Sequence, residues 1–359
     1  MVASPEADGV AGTGSVGGII RTVTGDIPAA EIGATLIHEH VVCDLSFRWG
    51  DDGPPELTAS PVGLANLQAV RRNPRNNRDN LILGDLDMAT AELERFAAVG
   101  GRTIVEVSCL GIGRDVRALA HVARRSGVNL VAGSGYYVRG SHPYGLGERD
   151  ESAIADEMIH ELTIEVPGTG IRTGVLGELA ADVFPIDTVE RTVLRAAARA
   201  QATTGAAIVV HPGPGIESAF EVLAVLEEAG ALLDKVVIAH LDDRFGDDLG
   251  LFRRLGASGC RFGFDTFGRE TYNRARGRHA PNDSVRVAAV LGLWDAGLGE
   301  RITLAHDICT KGDLAAFGGQ GYDHLLVEIL PRFRRAGLDE AAIEQMLLRT
   351  PAEILALPV

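Results

Sequence analysis

A chain of 359 residues that is 46% hydrophobic, with a net charge of -15, can bury one large core or two ordinary ones. Its acidity argues against a nucleic-acid backbone or an anionic membrane surface as partner, since both need a basic face, and leaves a small-molecule substrate as the expected partner. No apolar run reaches the ~18 residues of a membrane-spanning helix, and residues 1–18 lack the basic start and apolar core of a signal peptide.

In chain order, residues 1–17, rich in Gly, Ala and Ser, are expected to form a disordered tail. Residues 18–32, with Ile19-Ile20-Arg21-Thr22-Val23 and Gly25-Asp26-Ile27, read as a small β-hairpin. Short apolar, β-rich runs follow at 34–38, 103–107, 130–135, 174–178, 208–211, 236–240, 261–264 and 302–306. Segments of helical periodicity lie between them, among them 86–99, 187–204, 218–229, 283–296 and 324–335. Residues 339–357 read as a closing helical segment with a break just before Pro351. Eight strands alternating with helices imply a parallel sheet with right-handed crossovers. Eight is also the number that closes a (β/α)8 TIM barrel, with an open doubly wound sheet as the alternative. No repeat or linker divides the chain, so residues 18–359 are read as one α/β barrel domain with an N-terminal hairpin extension. Cys43, Cys109, Cys260 and Cys309 show no CxxC pairing and read as free thiols of a cytoplasmic protein.

The chemistry lies where the strands end. The first strand closes on His38-Glu39-His40, and residues i and i+2 of a strand share a side, so His38 and His40 can hold one cation. The fourth strand ends in Gly177-Glu178, the fifth in His211, the sixth in His240 and the eighth in Asp307. In a barrel these C-terminal ends meet at one mouth. A single histidine at a strand end is commonly a hydrogen-bonded structural residue; five strands ending in ligand-type residues point to a metal site. Four imidazoles and two carboxylates suffice for two divalent ions, zinc in the first place, with manganese, cobalt or iron as alternatives. His121, His160, His279 and His324 fall in helical or loop patterns and read as surface or packing residues. His142 follows the third strand and can face the mouth, whereas His306 is expected to point the other way from Asp307.

This layout resembles the phosphotriesterase family of the amidohydrolase superfamily over nearly the whole chain. The resemblance rests on Gly25-Asp26-Ile27 with Leu36-Ile37-His38-Glu39-His40, on Gly177-Glu178-Leu179 and on His240-Leu241-Asp242-Asp243. It also rests on Asp307-Ile308-Cys309-Thr310-Lys311 with Gly318-Gly319-Gln320-Gly321-Tyr322-Asp323-His324. It implies a binuclear centre in which His38, His40 and Asp307 bind the more buried ion, His211 and His240 the more exposed one, and a strand-4 carboxylate bridges both. Many relatives bridge with a carboxylated lysine. Here the two lysines are Lys235 and Lys311, neither on strand 4, so Glu178 takes the place. Relatives also carry a histidine or an arginine near the position of Thr266; neither is present, and Arg269 is the nearest substitute. A tyrosine at the position of Tyr137 is a feature of lactonase-type relatives, where it reaches the substrate; the alternative is a packed aromatic.

On this scheme a metal-bridging hydroxide attacks a carbonyl or phosphoryl centre. Asp307 is the expected general base, and Asp243 carries protons away, unless Asp242 and Asp243 cap the helix that follows. Asp265 orients a substrate hydroxyl or holds the mouth loops. The loop after the seventh strand carries Arg269, Tyr272, Arg274, Arg276 and Arg278, which attract an anionic substrate or are solvated surface. Arg48 and Trp49 are further candidates for the pocket wall. The expected reaction is hydrolysis of a lactone or carboxylic ester, with promiscuous action on phosphotriesters. The alternatives are true phosphotriester or amide hydrolysis on the same centre, or a non-catalytic ligand-binding barrel. Relatives of this kind often form homodimers, but no residue pattern here fixes the oligomeric state.

Overall fold

The computed structural model describes residues 16–50, 58–273 and 277–358. Eight parallel strands build one sheet: β1 (Ala34–Glu39), β2 (Gly101–Glu106), β3 (Asn129–Ser134), β4 (Val175–Ala180), β5 (Ala207–His211), β6 (Val236–Ile238), β7 (Arg261–Phe264) and β8 (Ile302–Leu304). Their order in the sheet is their order in the chain. The ring closes just past the strand ends, where Asp307 N–H donates to the His38 carbonyl (3.2 Å) and His40 N–H to that of Ile308 (3.1 Å). The architecture is therefore a TIM barrel, as the alternation of strands and helices predicts.

Most of the strands are apolar runs rich in Val and Ile because they are buried on both sides; β7, Arg-Phe-Gly-Phe, is the exception. Ile37, Val105, Val131, Val175, Val209 and Val237 fill the barrel interior, while Leu36, Ile104, Leu130, Leu176, Ile208 and Ile238 face the surrounding helices. The helices start on side-chain caps: Asp85, Asp115, Asp187 and Asn282 accept the first free N–H groups at the starts of Leu86–Ala98, Val116–Ser126, Thr188–Thr204 and Asp283–Asp295. The predicted hairpin is present as Ile19–Thr22 paired antiparallel with Gly25–Pro28. Together with the last helix, Thr350–Leu355, it seals the bottom of the barrel: Ile20, Ile32, Ile354 and Leu355 pack into the interior cluster. All four cysteines are free, and no helix of the described residues is long and apolar enough to cross a membrane.

Two expectations need correction. The closing segment does not break before Pro351. A π-helical turn, Gln345–Arg349, leads straight into Thr350–Leu355, and another, Leu325–Ile329, precedes Leu330–Arg335 with its Pro331. A widened turn moves the carbonyl four residues back away from the proline ring, relieving the clash that would otherwise stop the helix. Strands β6 and β8 also end earlier than expected, so His240 and Asp307 stand just beyond the ladder. Residues 1–15 of the predicted tail lie outside the described residues.

Candidate metal centre

Leaving the ladder early gives the backbone freedom to change shape. His240 and Asp307 are the two non-glycine residues with positive φ among those described, at 59° and 52°. L-residues rarely adopt this region, and such strain persists where a side chain must be aimed. At β4 a glycine plays the corresponding part. Gly177 has φ +129°, and a Cβ there would meet the Val209 carbonyl oxygen at 2.3 Å, so only glycine lets β4 lie this close to β5 beside Glu178.

The six predicted ligands converge. His38 Nε2 lies 3.4 Å from Glu178 Oε1 and 3.7 Å from Asp307 Oδ1; His40 Nε2 lies 3.7 Å from Glu178 Oε2 and 3.3 Å from Asp307 Oδ1. On the other side of Glu178, His211 Nδ1 and His240 Nε2 approach Oε1 to 3.0 and 3.3 Å and each other to 2.9 Å. Glu178 thus contacts all four imidazoles while only 2% exposed. Two groups close enough to share an ion stand out, His38 with His40 and Asp307, and His38 with Glu178 and His240.

The outer ring nitrogens of His38, His40 and His240 face acceptors. Asp265 accepts from His240 Nδ1 and from the His240 backbone N–H (both 2.8 Å), and its other oxygen lies 3.2 Å from His38 Nδ1. His40 Nδ1 contacts Ser108 Oγ at 2.9 Å, which donates to Glu106 Oε1 at 2.6 Å. An outer N–H held by an acceptor leaves the inner nitrogen as a lone pair, the tautomer a metal needs. The fit to divalent cations is good on these grounds. Two imidazole nitrogens meet at hydrogen-bond distance, and both nitrogens of the fully buried His38 lack a well-formed hydrogen bond.

The electrostatics agree. Burial by itself would lower the His38 pKa, yet Glu178 and Asp265 hold it well above the usual value; burial opposes and Asp265 raises His240, to about 9. Burial would raise the carboxylates, but His38 keeps Glu178 well below its ordinary range and Arg269 brings Asp307 down to about 2. His211 goes the other way, pushed down to about 3 by burial. Carboxylates and imidazoles thus hold one another's charge, and a divalent cation would take the place of the protons on His38 and His240.

These groups open on a cavity of about 400 Å³. Tyr137, Asp243 and Arg269 line it with His40, Glu178, His211, His240 and Asp307. The Tyr137 hydroxyl is 3.4 Å from His211 Nδ1, and Arg269 Nη1 is 2.7 Å from Asp307 Oδ2. Arg48 also lines the wall, whereas Trp49 does not. Arg274 and Arg276 lie outside the described residues.

Several placements differ from the sequence reading. Asp265 is fully buried beneath His38 and His240 rather than on the cavity wall. The short helix Leu241–Arg244 has no side-chain cap. Asp242 instead takes the N–H and hydroxyl of Thr266 and the guanidinium of Arg286, itself fully buried and paired with Asp283 at 3.0 Å. His306 turns away as expected, onto Glu39 at 2.7 Å, and His142 contacts the Tyr137 carbonyl instead of joining the cavity wall. Glu106, Ser108, Glu39 and Arg286 escaped the sequence reading. The polar residues of Val105-Glu106-Val107-Ser108, at the end of an apolar run, were the available signal.

A (β/α)8 barrel with imidazoles and carboxylates gathered at the C-terminal strand ends defines a hydrolase of the metal-dependent class. More narrowly, the chain belongs to the phosphotriesterase family, whose model matches residues 18–355. It is 34% identical over 346 residues to the N-acetyltaurine hydrolase of Rattus norvegicus, covering 95% of this chain and 99% of that protein. Among solved structures it is similar to a resiniferatoxin-binding protein from Rhodobacter sphaeroides (TM-score 0.91, 37% identity, 95% and 96% of the two chains). It is also similar to a mutant PTE-like lactonase from Deinococcus radiodurans (TM-score 0.72, 27% identity, 94% and 100%).

Proposed function

We propose that this chain hydrolyses a small acyl amide at a binuclear centre that His38, His40, Asp307, His211, His240 and Glu178 would hold. The observation that carries the reading is the contact of one buried carboxylate, Glu178, with all four imidazoles at the floor of an open cavity. Zinc suits this donor set. When bound, the ions supply a water of lowered pKa and a Lewis acid for the carbonyl oxygen.

The protein's own groups do the rest. Asp307, kept ionised beside Arg269, takes the proton of the attacking water and returns it to the leaving nitrogen. An amide needs that second transfer because an amine anion is a poor leaving group. Asp243, on the wall beside His240, relays to solvent the second water proton, which is released when the carboxylic acid product ionises. Tyr137 presents its hydroxyl beside His211 to the substrate carbonyl. Asp265 fixes the His38 and His240 rings, which makes it a positioning residue.

The amide takes precedence over the lactone or ester because relatives aligned over almost their full length are named for an amide substrate. The lactone stays as a second reading on Tyr137 and on the similarity to a PTE-like lactonase. The test compares kcat/KM on N-acetylated primary amines with that on simple lactones and esters. Amide turnover leading supports the proposal; lactone turnover leading while amides stay intact replaces it with the second reading.

A further inference from the structure

The loop that follows β7 is fixed at each residue from Thr266 to Glu270. Asp242 accepts the Thr266 N–H at 3.1 Å and its hydroxyl at 2.6 Å, and Phe267 is fully buried against Phe333. Asp283 accepts the Gly268 N–H at 2.9 Å, and the Glu270 carboxylate accepts the Asp283 N–H at 2.9 Å. At the centre stands Arg286, on the helix Asp283–Asp295 and 1% exposed. Its Nε donates to Asp242 at 2.8 Å and its Nη1 to Asp283 at 3.0 Å. Its Nη2 donates to the Thr266 hydroxyl at 2.8 Å and to the Arg269 carbonyl at 2.9 Å.

The anchored stretch carries Arg269 on the cavity wall. From this held backbone the Arg269 side chain runs to Asp307, with Nη1 2.7 Å from Oδ2, and to Cys309, with Nη2 3.0 Å from Sγ. A long side chain with many rotamers reaches one carboxylate reproducibly only if its own backbone is fixed. Stability alone does not account for a buried cation between two carboxylates. Desolvation cancels most of the attraction within such a cluster, and apolar side chains of the same volume hold a fold as well. Val287, Val290 and Leu293 already pack this helix into the core. What the guanidinium adds is direction: its planar fork satisfies four acceptors on three segments of the chain at once, which a lysine cannot do.

We infer that Arg286 is a positioning residue for the reaction: it aims Arg269 at Asp307 by anchoring the chain from Thr266 to Glu270. This rests on the hydrolase reading above.

The test uses the full chain with its metals in place. Arg286→Lys keeps the charge and gives up the fork; Arg286→Met combined with Asp242→Asn keeps the core filled and neutral should the lysine variant fail to fold. Ile354→Ala, at the opposite end of the barrel, lowers stability without touching the loop. Hydrogen exchange over residues 265–272 reads the anchor. The kcat/KM on whichever N-acetyl amine, ester or lactone the wild type turns over best reads its consequence. In the Arg286 variants exchange over that stretch speeds up about 10-fold or more. Their kcat/KM falls about 10- to 100-fold, mainly through kcat. Ile354→Ala changes neither under native conditions. In an Arg269→Gln background, Arg286→Lys lowers kcat/KM by no more than about twofold further, because its effect runs through Arg269. Losses that multiply in the double variant, unchanged exchange, or a loss of activity that Ile354→Ala matches overturns the proposal. Faster exchange in the Arg286 variants with no turnover of any substrate by the wild type keeps the anchor and overturns the hydrolase reading instead.

Discussion

Glu178 contacts a nitrogen of every candidate histidine ligand, yet none of those rings is held by Glu178 alone. Asp265 fixes two of them from behind, at 2.8 and 3.2 Å. Asp265→Asn keeps the size but gives up the charge, so metal affinity is expected to fall ~10- to 100-fold, read by competition against a chelator. Tyr137→Phe removes one hydroxyl beside His211; kcat should drop roughly 10-fold or more with KM little changed, and a change confined to KM would make Tyr137 a packing residue. Glu106 gives a pH signature. Burial pushes its carboxyl up to about 7, above the ~4.3 of an unfolded glutamate, with the contact to Ser108 pulling the other way. A raised carboxyl binds more protons folded than unfolded, so its cost to stability is absent below about pH 4 and grows until about pH 7. Unfolding of the metal-free protein should show wild type losing up to ~3 kcal/mol relative to Glu106→Gln across that window. Parallel profiles for the two proteins would refute it. The candidate ligands are legible in the sequence because each stands at the end of an apolar strand. The positioning role of Asp265 is not, because its partners, His38 and His240, are far off in the chain and only the fold brings them together.

At the level of elements, strand positions are readable because a two-sided buried strand is a continuous apolar run, and all eight runs form strands. Their exact ends are not. Hydrophobicity continues through Ala239 and Ala305, while the ladder stops at Ile238 and Leu304 so that His240 and Asp307 can take positive φ. The prolines mislead for a related reason: Pro331 and Pro351 signal a helix end locally, but both follow a π-helical turn that lets the helical path continue. The contact between β4 and β5 depends on a missing side chain. Gly177→Ala would put a Cβ 2.3 Å from the Val209 oxygen at a φ that alanine avoids. Loss of at least 1–3 kcal/mol is expected by denaturant titration, together with reduced metal content. Unchanged stability would show that the two strands can separate freely.

For the molecule as a whole, the two ends of the barrel have separate roles. The bottom, sealed by the hairpin and the last helix through Ile20, Ile32, Ile354 and Leu355, holds the fold together; the top holds the candidate metal centre and its cavity. Ile354→Ala should cost ~2–5 kcal/mol of stability while metal stoichiometry in the folded protein stays the same. The overall barrel and the imidazole–carboxylate set are visible in the sequence, whereas the acceptors behind the imidazoles, Asp265 and the Ser108–Glu106 pair, become apparent only once the barrel brings them beneath the rings. The measurement closest to the central claim is elemental analysis of wild type and Glu178→Ala, both purified without chelator. The account predicts about two divalent ions per wild-type chain and a marked loss in the variant. A metal-free wild type, or a metal content indifferent to Glu178, would contradict it.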